Sequence, residues 1–195
     1  MHRLFPAGIE TLASAMVLIP VLFYLNKRLF PDKKRTVLCG IFGLYLAAVY
    51  ALAGLPTILY IRFEPHFNFE PFAYMFSDLD ATVLNVLLFV PLGLGLPMLW
   101  KSFSQWWKTV LFGFLASAFI ETMQMFTFRA TDVNDLMTNT LGTVVGFCLA
   151  KLLLRLFPEL PSQRERELVA VCILTLGIQF FIQPFVSGFL WNILL

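Results

Sequence analysis

The chain has 195 residues, 59% of them hydrophobic and only 13% charged, with a mean hydropathy of +0.80, whereas soluble domains carry about 25% charged residues. This balance excludes a water-soluble globular domain, and 22 Phe residues exclude a disordered chain, which is poor in the apolar groups that drive ordering. The formal net charge of +2 is too small to point to a nucleic-acid partner.

Apolar runs approaching the roughly 20 residues that cross a bilayer core as helix recur six times, at residues 8–25, 36–60, 81–100, 109–126, 137–156 and 168–190. The expected fold is therefore all-α: a polytopic membrane helical bundle of about six transmembrane helices. No linker, repeat or low-complexity tract divides residues 1–195, so a single domain is expected, embedded in the lipid bilayer. Chemistry, if any, must sit in or beside that bilayer.

The first run follows Met1-His2-Arg3-Leu4-Phe5-Pro6, which lacks a basic n-region and a small-residue cleavage site, and is expected to be retained as a helix. Glu10 lies near its start. A basic loop with Lys27, Arg28, Lys33, Lys34 and Arg35 leads into the second run. The next loop is acidic and aromatic, and Asn68-Phe69-Glu70-Pro71-Phe72 within it suits an interfacial belt or a re-entrant segment. His66 between Glu64 and Glu70 matches no strong metal spacing and reads as solvent-facing.

Run three carries Asn85 and then Pro91, Gly93, Gly95 and Pro97, so a kinked or re-entrant element is expected there, the prolines kinking the helix or unwinding it locally; close packing is the other role open to these residues. Run four contains Glu121, in one stripe with Gly113, Ser117 and Gln124. Run five opens with Asn139 and continues through Gly142-xxx-Gly146, a close-packing signal in membrane helices. Cys39, Cys148 and Cys172 all lie in apolar runs without CxxC spacing; they read as small core residues, and no cofactor or metal site is expected.

Charge placement orients the spans. Eleven of the fourteen basic residues fall in three alternate loops or at the adjoining helix ends: 27–35, 101–108 and 151–166. The positive-inside rule makes those loops cytoplasmic. The opposite side holds Arg3, Arg62 and Arg129 with Glu64, Glu70, Asp78, Asp80, Asp132 and Asp135, and six spans place both termini on the outer face of the plasma membrane.

An acid inside a membrane helix is disfavoured by up to about 2.5–3.5 kcal/mol, so Glu121 either glues helices as a hydrogen-bonding group or serves a function. From the 1.5 Å rise per residue, Glu121 lies about 8 Å below the outer end of its helix. Asn85 reaches a similar depth and Asn139 opens the fifth helix from the same side, so the three are expected to converge. In the intervening turn, Asp132 followed by Asp135 is the pattern of an N-cap with an acid at N3, and both also stand as candidate catalytic acids. Asp132-Val133-Asn134 begins like a calcium loop, but Met137 and Thr143 stand where that loop needs Gly and Glu, which rejects it.

Four pieces occur in order: Asn68-Phe69-Glu70-Pro71-Phe72; Asn85-xxx-Phe89-x-Pro91-x-Gly93-xxx-Pro97; Ser117-xxx-Glu121-xx-Gln124; and Arg129-xx-Asp132-xx-Asp135-xxx-Asn139-xx-Gly142-xxx-Gly146. The series resembles the VanZ-like family of bacterial membrane proteins, whose namesake members are associated with teicoplanin resistance, over a motif core of residues 68–146. The resemblance implies a multi-pass plasma-membrane protein of the cell envelope, with Glu121, Gln124, Arg129, Asp132, Asp135 and Asn139 as its characteristic polar set. It implies no particular reaction, and it does not extend glycopeptide resistance to every member.

Three functions fit these residues. In the first, Arg129 holds the phosphate or carboxylate of an anionic amphiphile, such as a lipid-linked cell-wall precursor, or of a membrane partner, with Asn85, Gln124 and Asn139 hydrogen-bonding to it. In the second, an intramembrane enzyme uses Glu121 with Asp132 or Asp135 as general acid and base on a lipid-linked substrate; no Ser/His, Cys/His or HExxH pattern accompanies them. The third is a proton-coupled small transporter or flippase with Glu121 as relay.

Overall fold

The structure, a computed structural model of the chain, describes residues 4–68, 70–72, 79–127, 129–156 and 161–194. Arg3, Phe69 and Asp78, which enter the charge and motif patterns above, lie outside the described residues. In chain order the elements are α1 (Leu4–Tyr24), α2 (Asn26–Leu29), α3 (Lys33–Ala53), β1 (Phe67–Asn68), α4 (Leu79–Leu99), a 3-10 turn (Lys101–Ser104), α5 (Trp106–Gln124), β2 (Thr131–Asp132), α6 (Val133–Leu153), α7 (Glu165–Gly177), a π-helical segment (Ile178–Ile182) and α8 (Gln183–Leu194). The architecture is all-α and polytopic. Two compact units compose it, Met1–Ile61 with Arg166–Leu195, and Arg62–Glu165.

Among the described residues, five stretches are long and apolar enough to cross a membrane: α1, α3, α4, α6 and Glu165–Ile193. The expected fourth span does form a helix, α5, whose 19 residues run antiparallel to α6 and return the chain from the end of α4 to the start of α6; it falls outside that set because Lys108, Thr109, Ser117, Glu121, Thr122 and Gln124 dilute its apolar character.

In the first unit, Asp32 caps α3 by accepting from the Arg35 backbone N–H at 2.7 Å. The helix ends at Ala53, short of the Tyr60 expected from hydropathy, because Gly54 takes a left-handed φ of 66° and turns its N–H back onto the Tyr50 and Ala51 carbonyls. That C-cap with Pro56 close behind is a helix stop. The Arg35 Nε donates to Glu167 Oε2 at 2.7 Å, and both side chains are buried. Charge counting treats Arg35 as a solvated loop cation; packing makes it half of an internal ion pair. Farther along, the Ser14 hydroxyl donates to Gln179 Oε1 at 2.8 Å, and the Ile58 N–H donates to the Phe180 carbonyl of the π-helical segment at 3.0 Å.

The second unit is organised by α4 against α6. A Cβ at Gly142 would overlap the Val86 carbonyl, one at Gly146 the Val90 carbonyl, and one at Gly93 the Thr143 carbonyl. Only glycine permits that backbone approach. Held in this way, α4 stays helical from Leu79 to Leu99 through Pro91 and Pro97, so of the two outcomes expected at the prolines, a kink or local unwinding, the unwinding does not occur. A proline removes one donor from the ladder, and the glycine-mediated contact with α6 keeps the surrounding helix in place. Opposite the close crossing, α5 packs on α6 where Gly113 meets the Thr143 side chain.

Candidate functional site

The polar motif residues gather at one end of the second unit, where α4 begins, α5 ends and α6 begins. Each is placed by a specific local cause. Asp132 precedes α6 in an extended conformation and caps it, its Oδ1 accepting from the Asn134 backbone N–H at 2.8 Å. The same oxygen accepts from Asn134 Nδ2 at 2.9 Å, and Oδ2 accepts from Asn68 Nδ2 at 2.9 Å. Both oxygens of Asp132 are thereby committed to structure.

Glu121 lies one turn before the end of α5, 5% exposed, and its Oε2 accepts from the Asp132 backbone N–H at 2.8 Å. The Thr131 hydroxyl donates to the Glu121 carbonyl at 2.9 Å. Asp135, in the first turn of α6, accepts from Asn85 Nδ2 at 2.6 Å. It therefore ties α6 to α4 and does not complete a capping box. One turn deeper, Asn139 Nδ2 donates to Ser117 Oγ at 3.0 Å, bridging α6 to α5. Asn139 is 4% exposed, and its Oδ1 has no hydrogen-bond partner among the described residues. Gln124 is buried at the close of α5.

Arg129 is exposed on the turn between α5 and β2 and lies within Coulombic reach of Glu121 and Asp135. The expectation that Asn85, Glu121 and Asn139 converge is met in pairs: Asn85 joins Asp135, Asn139 joins Ser117, and Glu121 joins the backbone of Asp132. Acid–base chemistry at this end would fall to Glu121 and Asp135, since Asp132 has no uncommitted oxygen. Among the described residues no group of three or more His, Cys, Asp or Glu is placed to hold a metal ion.

A covering loop completes the site, and sequence patterns did not foresee how it is fastened. The short parallel ladder aligns Phe67 with Thr131 and Asn68 with Asp132. Arg62 and Glu64 donate their backbone N–H groups to the Phe126 and Met125 carbonyls, both at 3.0 Å, and Thr131 donates to the His66 carbonyl at 2.8 Å. Phe72 has a left-handed φ of 64°, unusual for a bulky residue, and its N–H donates to Asn134 Oδ1 at 2.7 Å while Asn134 Nδ2 donates to the Glu70 carbonyl at 3.1 Å. Asn134 is thus the clamp on this loop. The one signal for it in the sequence is an Asn beside a capping Asp, which any helix start can carry.

No curated protein and no solved structure matches the chain. The sequence model of the VanZ/LLP1 family matches residues 42–155, a range that contains every polar residue of this site and more than half of the chain, and the protein belongs to the VanZ/LLP1 family.

Proposed function

We propose that this membrane protein of the VanZ type is a binding protein of the bacterial cell envelope, resident in the plasma membrane with both termini outside, and that the polar end of its second unit holds the headgroup of an anionic or phosphate-bearing amphiphile in the outer leaflet. One observation carries the reading: an exposed Arg129 lies within Coulombic reach of Glu121 and Asp135, among buried and half-buried polar groups contributed by three helix ends. A guanidinium binds phosphate or carboxylate through paired donors. The bilayer supplies amphiphiles at high local concentration, and a lipid-linked cell-wall precursor is one ligand of this class.

The test is native mass spectrometry of the full chain purified in detergent, with phosphatidylglycerol as the probe. Arg129→Ala is expected to weaken retention by about tenfold or more, the value of a charge-assisted hydrogen bond, and Arg129→Lys to fall between, keeping the charge while losing the planar fork. Binding by Arg129→Ala equal to that of the parent defeats the proposal.

A further inference from the structure

The uncommitted acceptors at this site call for more than an anion. Asp132 accepts from three donors, with both of its oxygens engaged. Glu121 gives one oxygen to the Asp132 N–H and Asp135 gives one to Asn85, which leaves the second oxygen of each carboxylate to accept. One turn beneath them, the buried Asn139 Oδ1 is also an acceptor, and it has no partner among the described residues. A buried acceptor left without a donor keeps its full desolvation penalty, so this lining is suited to a guest that brings N–H or O–H groups. A purely anionic headgroup brings no cation to two carboxylates that repel it, even where it carries hydroxyl donors; only Arg129 would favour it.

We propose that the guest is a phospholipid headgroup carrying both a phosphate and a primary ammonium, with the phosphate at Arg129 and the ammonium donating toward Glu121, Asp135 and Asn139; this rests on the Arg129 anchoring argued above. An ammonium offers three donors and no acceptor, the complement of the uncommitted atoms. The lipid source follows from α4 itself, whose Val83, Leu84 and Leu87 are each more than half exposed and give the helix that carries Asn85 an apolar outer face on which acyl chains can lie.

The experiment compares phosphatidylethanolamine, phosphatidylglycerol and phosphatidylcholine of identical acyl chains on the detergent-purified full chain, again by native mass spectrometry. Phosphatidylethanolamine is expected to bind about tenfold tighter than the other two, because phosphatidylglycerol lacks the cation and phosphatidylcholine lacks N–H donors. Glu121→Gln and Asp135→Asn should each bring it down to the level of phosphatidylglycerol. Equal or tighter binding of phosphatidylglycerol by the parent chain overturns the ammonium assignment, as does a preference that survives both substitutions. That failure is distinct from failure of the anchoring reading, in which Arg129→Ala would bind all three lipids like the parent. Soluble glycerophosphoethanolamine is expected to compete only in large excess; competition at equal concentration would overturn the lipid as the source. Should a variant fail to fold in a thermal melt, the three-lipid comparison on the parent chain still decides.

Discussion

Two carboxylates of one short segment, Asp132 and Asp135, acquire different duties from the donors around them. Asp132 meets a helix N-terminus and a crossing loop, so it caps and fastens. Asp132→Ala is expected to lower stability by about 1–3 kcal/mol, combining a lost cap of ~1 kcal/mol with the loss of the Asn68 bond, whereas Asp132→Asn should lose less, because Asn also caps. Thermal melting in detergent reads both, and an Ala variant that melts with the parent would remove Asp132 from its structural role. The capping role of Asp132 was legible in its spacing before the fifth apolar run. The role of Asp135 as a tie between helices was not: its partner Asn85 stands 50 residues away on another helix, and local spacing holds no information about which helix packs alongside.

At the level of elements, the α4–α6 crossing depends on having no side chain at Gly142, Gly146 and Gly93. Gly142→Ala or Gly146→Ala drives a methyl into a backbone carbonyl that cannot rotate away, and the expected cost is about 1–3 kcal/mol or more, typical of overpacking. Gly188→Ala is the control, since nothing lies within 4 Å of its Cβ position; there the expected change is neutral to a gain of about 0.5–1 kcal/mol from helix propensity. A melt in which Gly142→Ala and Gly188→Ala behave alike would show that the crossing is looser than described. The Gly142-xxx-Gly146 spacing marked a packing face in the sequence. It did not say that the opposing surface is the proline-bearing α4, nor that this contact would leave α4 helical where composition pointed to unwinding.

For the molecule as a whole, the buried Arg35–Glu167 pair ties the start of α3 to the start of α7 across most of the chain's length. Removing one partner strands a buried charge, so Glu167→Ala is expected to destabilise by about 3–5 kcal/mol, while Arg35→Met with Glu167→Leu should recover much of that loss; a melt of the double variant no better than the single one would deny the coupling. The orientation is tested in a chain whose three native Cys are replaced: an impermeant thiol reagent on intact cells is expected to reach His66→Cys and to miss Lys33→Cys, and the reverse pattern inverts the topology. Composition by itself determined that the chain is a helical membrane protein and where most of its rods begin and end, because apolar content and period act through local physics. Ordered motif residues identified its family. Only the tertiary structure decided that α3 stops at Gly54, that Arg35 is internal, that Asn134 clamps the covering loop and that Glu121 and Asp135 are the acids retaining an acceptor oxygen. Those outcomes depend on donors and backbone surfaces brought together from distant parts of the chain, and a one-dimensional pattern records each residue's chemistry but not its neighbours.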